Sequence, residues 1–112
     1  MYFEHYRLPE AFAGFSREDY GVPVRYPVAC HPQAWAAGTI PYLVETLLGL
    51  IPEAFDGRLR ISRPVLPAFV DRLEVRQLRV GSSRVDLHFE RTSQGSVAVE
   101  VLRMAGSLDV VV

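Results

Sequence analysis

Glu10 stands in a stretch, residues 9 to 31, that holds Pro9, Gly14, Gly21, Pro23 and Pro27 among the aromatic residues Phe12, Phe15, Tyr20 and Tyr26. A carboxylate among aromatic rings can serve as a general base or stabilise a positively charged transition state, and aromatic faces are common platforms for sugar rings. The same residue has a plainer reading. A glutamate following a proline suits the first turn of a helix, where the helix dipole favours negative charge. Composition alone leaves both readings open.

The remaining reactive residue types point away from most other chemistry. Cys30 is the only cysteine, so the chain has no internal disulfide framework and no cysteine metal cluster, which fits a reducing, cytoplasmic setting. It reads as a buried structural thiol, with His31 as its one neighbouring base. His5, His31 and His88 show no metal-binding spacing, and there is no Ser-His-Asp order, glycine-rich phosphate loop or paired CxxC, so neither a metal nor a cofactor is expected. All the basic residues are arginine, and Arg58, Arg60, Arg63, Arg72, Arg76, Arg79, Arg84 and Arg91 fall in one stretch. That invites an anion-binding reading. Asp71, Glu74, Asp86 and Glu90 are interleaved with them at strand spacing, however, which favours ion pairs on a solvated sheet face. A formal net charge of −1 gives no reason to expect nucleic acid or an anionic membrane as partner. No apolar run approaches the roughly 18 residues of a membrane-spanning helix, and the opening residues lack the pattern of a secretory signal.

The elements that must position these residues change character along the chain. Residues 1 to 8 read as the last turns of a helix, with Phe3 and Tyr6 at i, i+3, and Pro9 prevents its simple continuation. Residues 9 to 31 read as a long irregular loop, of a length that in a compact domain is usually functional. Pro32 suits a first helical position, and Trp35, Leu43, Val44, Leu47, Leu48 and Ile51 give an apolar stripe, so a helix is expected from about Pro32 to Leu50 and bent or split at Pro41. Pro52 and Gly57 mark its exit. From Arg58 the apolar period becomes two. Leu73 and Val75 are odd-numbered whereas Leu78 and Val80 are even, which predicts a β-bulge near Arg76 and Gln77. Gly81, the segment from Thr92 to Gly95, and Gly106 mark turns between the later strands. The expected fold class is therefore α+β: an N-terminal helical segment with a long aromatic loop, then a small antiparallel sheet of four or five strands packed on the helix. Residues 1–57 form the helical part and 58–112 the β part, together making one compact unit.

The string from Tyr6 to Phe15 (YRLPEAFAGF) and the block from Arg25 to Gly38 (RYPVACHPQAWAAG) resemble the closing part of the catalytic domain of bacterial amylo-α-1,6-glucosidases, the glycogen-debranching-like proteins. The Leu-rich helix, the LRISRPVLP strand and bend, and LRVG turning into RVDLHF also resemble that family's C-terminal end. The resemblance implies an (α/α)6 barrel that cleaves glucosidic bonds with two carboxylates. It implies that Glu10 is the general base, with Glu18 or Asp19 as neighbouring alternatives, and that Phe12, Tyr26, Gln33 and Trp35 touch an α-glucan. Two departures accompany it. Twelve helices cannot be built from the one or two here, and the partner acid of such enzymes comes from an earlier part of the sequence. An inverting glycosidase needs two carboxylates roughly 6.5–9.5 Å apart. The resemblance thus implies a C-terminal fragment, inactive by itself.

The alternative is a free-standing module that binds carbohydrate or a protein through the aromatic loop, without catalysis. In either case the helix from Trp35 to Leu48 carries Ile40, Tyr42, Leu43, Val44, Leu47 and Leu48 around more than one narrow stripe. The isolated chain is expected to cover that surface by forming a homodimer, joined by Phe3 and Tyr6.

Overall fold

The computed structural model describes residues 7–112, and the expected opening helix with Phe3 and Tyr6 lies outside them. The fold is mixed α+β, and the chain divides between Leu43 and Val44 into two compact units.

In the first unit, the stretch expected to be irregular is a small ribbon. Strand β1 (Phe12–Ala13) pairs antiparallel with β2 (Val24–Arg25), Phe12 opposite Arg25 and Ala13 opposite Val24. A one-turn helix, α1 (Arg17–Tyr20), lies between them. It forms because the Ser16 side chain accepts the Glu18 backbone N–H at 3.1 Å, and Gly21, at φ 68°, closes the other end. The rings of Phe15 and Tyr20, either side of the cap and first turn, lie 4.9 Å apart, the arrangement of a hydrophobic staple.

Helix α2 (Ala34–Leu48) runs through Pro41 and ends two residues earlier than the sequence suggests. Gly49 is the reason. It takes φ 62°, and its N–H donates to the carbonyl of Thr46. The chain turns there into a strand, β3 (Leu50–Glu53), in place of a further helical turn.

In the second unit the single sheet of four or five antiparallel strands is corrected to two three-stranded sheets. The first holds β3, β4 (Arg58–Ile61) and β8 (Asp109–Val111) in the order β3-β4-β8, and β4 and β8 run parallel. The second is an antiparallel meander of β5 (Arg72–Val80), β6 (Ser83–Arg91) and β7 (Val97–Ala105). Both sheets contribute to one core, with Leu59 and Ile61 from β4 and Val85, Leu87 and Phe89 from β6. Leu48 and Val44, on the last turns of α2, pack into the same cluster, and so the unit begins ahead of the change of period at Arg58.

The predicted bulge is present. Pairing of β5 with β6 shifts between Val75 and Leu78, leaving Arg76 and Gln77 opposite Asp86, with Gln77 at φ 56°. The Asp86 carboxylate accepts the freed Gln77 N–H at 2.7 Å. A second bulge, not anticipated, lies on β7. Asp86 faces Arg103 and Leu87 faces Val101, so Leu102 is the extra residue. Both edge strands therefore bulge beside the same residue of β6.

Arg91, at the end of β6, serves the backbone. Its Nη2 lies 2.8–3.1 Å from the carbonyl oxygens of Leu66, Pro67 and Val70, holding the turn that the prolines begin. Replacing Arg91 with Met is expected to lower the unfolding free energy by about 1.5–3 kcal/mol, the range for hydrogen bonds to a charged group. Urea denaturation with an unchanged slope is the check.

Gly49 gives a sharper test. A Cβ there would approach the carbonyl oxygen of Ser62 within 1.9 Å, at a backbone angle that already disfavours side chains. Gly49→Ala is expected to cost about 3 kcal/mol or more, whereas Gly95→Ala, left-handed but in open space, should cost only about 1–2 kcal/mol. Equal losses would show that backbone angle alone decides.

Candidate functional site

The ribbon of the first unit brings Glu10 and Cys30 together at its base. The Glu10 N–H donates to the Cys30 carbonyl at 3.2 Å, and the Cys30 N–H donates to Glu10 Oε2 at 2.9 Å. Twenty residues of chain are thereby closed by one residue acting through both its backbone and its side chain. The ladder continues upward through Tyr26 N–H to the Ala11 carbonyl, and then Phe12 opposite Arg25. Glu10, Phe12 and Tyr26 thus share one scaffold, with both rings about half exposed.

Electrostatics follow from this geometry. The Cys30 backbone N–H, then the Cys30 thiol, holds the Glu10 carboxyl below its ordinary range, and the Gln33 side chain adds to the effect against a small opposing cost of desolvation. The same hydrogen bond and negative charge push the Cys30 thiol up. Glu10 is accordingly ionised near neutral pH and Cys30 is a protonated thiol. Cys30 is exposed, a correction to its reading as a buried residue, and it is the neighbouring Glu10 that disfavours its thiolate.

Gln33 is the candidate nearest to this pair. Its side-chain Oε1 accepts the N–H of Ala34 at 3.0 Å, and it also lines an open groove of about 540 Å³ with Arg7, Pro32, Ala36 and Ile40. Trp35 has a separate setting on the first turn of α2, where it is 67% exposed and its carbonyl accepts the Thr39 hydroxyl. The two alternative carboxylates, Glu18 and Asp19, belong to the first turn of α1, where the helix end and the Ser16 cap account for them. The remaining feature is His31, whose Nε2 is enclosed and makes no hydrogen bond among the described residues.

The arginine-rich stretch forms ion pairs in part: Arg58, Arg60, Arg76 and Arg91 have acidic partners, of which only Glu74 and Asp71 are among the interleaved acids the spacing singled out. Arg60 meets Glu53 at 3.0 Å across β3 and β4, Arg58 meets Asp109 of β8 at 3.4 Å, and Arg76 meets Glu74 at 2.6 Å. These pairs are largely exposed to solvent, which screens them, so they add little to stability. His88 is half-buried on the same sheet and lies 3.8 Å from both Glu74 and Glu90. Among the described residues no group of three or more His, Cys, Asp or Glu could hold a metal ion, and no helix is long and apolar enough to cross a membrane.

Comparison with protein-family models, curated proteins and solved structures finds no match for this chain.

The Glu10–Cys30 clasp has a direct readout in thiol chemistry. Removing the negative charge in Glu10→Gln should lower the Cys30 pKa toward the ordinary value of about 8.5 and speed its alkylation near that pH. For the carboxylate the sign is opposite. Its folded value is depressed, so the clasp stabilises the ribbon above the ordinary carboxyl range and is lost as pH falls through the lowered value. Rates of iodoacetamide labelling against pH, in the wild type and Glu10→Gln, test the first statement, and the second is read from the ribbon's stability as the pH is lowered. Identical profiles would show that Glu10 does not govern Cys30.

Proposed function

We propose that this chain is the closing segment of a glycogen-debranching-type glycoside hydrolase acting on α-1,6-glucosidic bonds, and that Glu10 is the base that takes a proton from the attacking water. The observation that carries this reading is the state of Glu10: an exposed carboxylate, held ionised by Cys30, at the root of a ribbon that also presents Phe12 and Tyr26. A base in an inverting hydrolysis must be ionised before the reaction and held in place, and Cys30 and Gln33 supply both conditions to Glu10. The similarity of the Tyr6–Phe15 and Arg25–Gly38 strings to the amylo-α-1,6-glucosidases adds the substrate class. Gln33 and Trp35 would then contact the glucan beside the base. The second carboxylate, the acid, belongs to another part of such an enzyme, so these 112 residues alone are proposed to be inactive.

One observation favours a second reading, a glucan-binding module without catalysis. The exposed rings of Phe12, Tyr26 and Trp35 need no acid partner to stack on sugars.

In a full-length glucosidase carrying this loop, Glu10→Gln is expected to lower turnover on α-1,6-linked glucans by about 10²–10⁴-fold, with little change in KM and no loss of fold. Turnover near the wild-type value would place the base elsewhere. The isolated chain should release no glucose from such glucans. Trp35 is the only tryptophan, so a fluorescence titration of the chain with a branched glucan separates the two readings: saturable quenching without hydrolysis supports the binding module.

A further inference from the structure

Strand β7 has β6 on one side and no strand on the other among the described residues. It is nine residues long, and the side chains of Val101, Leu102 and Met104 are 39%, 48% and 45% exposed. A strand edge of this length usually carries a device against unwanted pairing. The charges on β7 are Glu100 and Arg103, and neither enters an ion pair among the described residues.

The bulge at Leu102 makes those two charges unusual. In a regular strand, residues three apart lie on opposite faces. Here Glu100 stands opposite His88 and Arg103 opposite Asp86, and His88 and Asp86 share a face of β6, so Glu100 and Arg103 share it too. On the other face, Val99, Val101 and Met104 stand opposite Phe89, Leu87 and Val85. Read from its middle, the strand is therefore self-complementary. Outward from the point between Val101 and Leu102, each direction has an apolar residue, then a charge, then an apolar residue, and the two charges are of opposite sign.

We propose that the free edge of β7 pairs antiparallel with β7 of a second copy of this chain, about a two-fold axis between Val101 and Leu102. This register sets Glu100 against Arg103 of the second copy twice over on one face, and Val99 against Met104 on the other. The two meanders become one six-stranded sheet whose apolar face continues across the join. The charges that repel an ill-matched strand select this register, since a shift by two residues in either direction loses both ion pairs. The argument is independent of any glucan chemistry. It also locates self-association on the sheet edge and not on α2, whose exposed apolar residues carry no such matched charges.

The test uses charge reversal and the full chain. Wild type should sediment at twice 12.6 kDa at high concentration. Glu100→Arg and Arg103→Glu should each weaken self-association by about tenfold or more, because each sets like charges opposite one another twice. An equimolar mixture of the two variants should reassociate, since every Arg then meets a Glu. The double variant carrying both substitutions should associate like wild type. Far-UV circular dichroism checks that each variant retains its sheet. A wild-type mass of 12.6 kDa at all concentrations overturns the proposal without recourse to any variant. Association that is indifferent to both charge reversals overturns it as well, and would move the contact to another surface such as α2.

Discussion

The second unit depends on the burial of alternate residues along β6. Val85, Leu87 and Phe89 are essentially removed from solvent, and among the described residues β6 is the strand of the meander with a neighbour on both sides. Each such side chain contributes about 1.5–3 kcal/mol by leaving water, and moving the strand by one residue would replace all three with Asp86, His88 and Glu90. Both neighbours must therefore conform to β6. Strand β5 does so by inserting a residue at Arg76–Gln77 and β7 by inserting Leu102, each beside Asp86. Bulges at one level on both sides increase local twist, which lets a short sheet wrap over a core shared with β4.

The outer face follows from the same constraint. Many residues that alternate with the core are charged, and some of them are tied down by near neighbours. Asp86 holds the bulged backbone of β5, and Arg76 closes on Glu74. Arg91 differs from these: its guanidinium organises carbonyls of the proline-flanked turn, an architectural role that ion-pair spacing does not reveal. The first unit is tied differently. It has few buried side chains, and the Glu10–Cys30 clasp sets the ends of its ribbon.

How much of this was legible depended on how local the cause was. The β5 bulge could be read from the parity change between Val75 and Leu78 because one buried face imposes it. The same evidence was present on β7, where Val97, Val99 and Val101 give way to Leu102 and Met104, but a run of valines hides the slip. The true end of α2 was also readable: Gly49 follows the last periodic residue, Leu48, and glycine is the common residue at that position. The apolar sequence Leu50-Ile51 continued the stripe and concealed it. The parallel pairing of β4 with β8 left no trace, because no periodicity records which distant strand will be a neighbour. Glu10 was recognisable as a carboxylate among rings, and its aromatic neighbours Phe12 and Tyr26 do share its ribbon. Its partner was not recognisable, since a side chain meeting a backbone N–H twenty residues away has no spacing rule.

The parallel pair has a consequence for how the chain folds. The meander joins neighbours through short turns at Gly81 and Gly95, contacts that a polypeptide finds within microseconds. Strand β8 must instead return to β4, with Arg58 and Asp109 separated by fifty-one positions, so its docking waits on closure of a loop that contains the whole meander. Docking of Leu108 and Val110 into the core is accordingly expected to come late, after the meander whose chain must close back on β4.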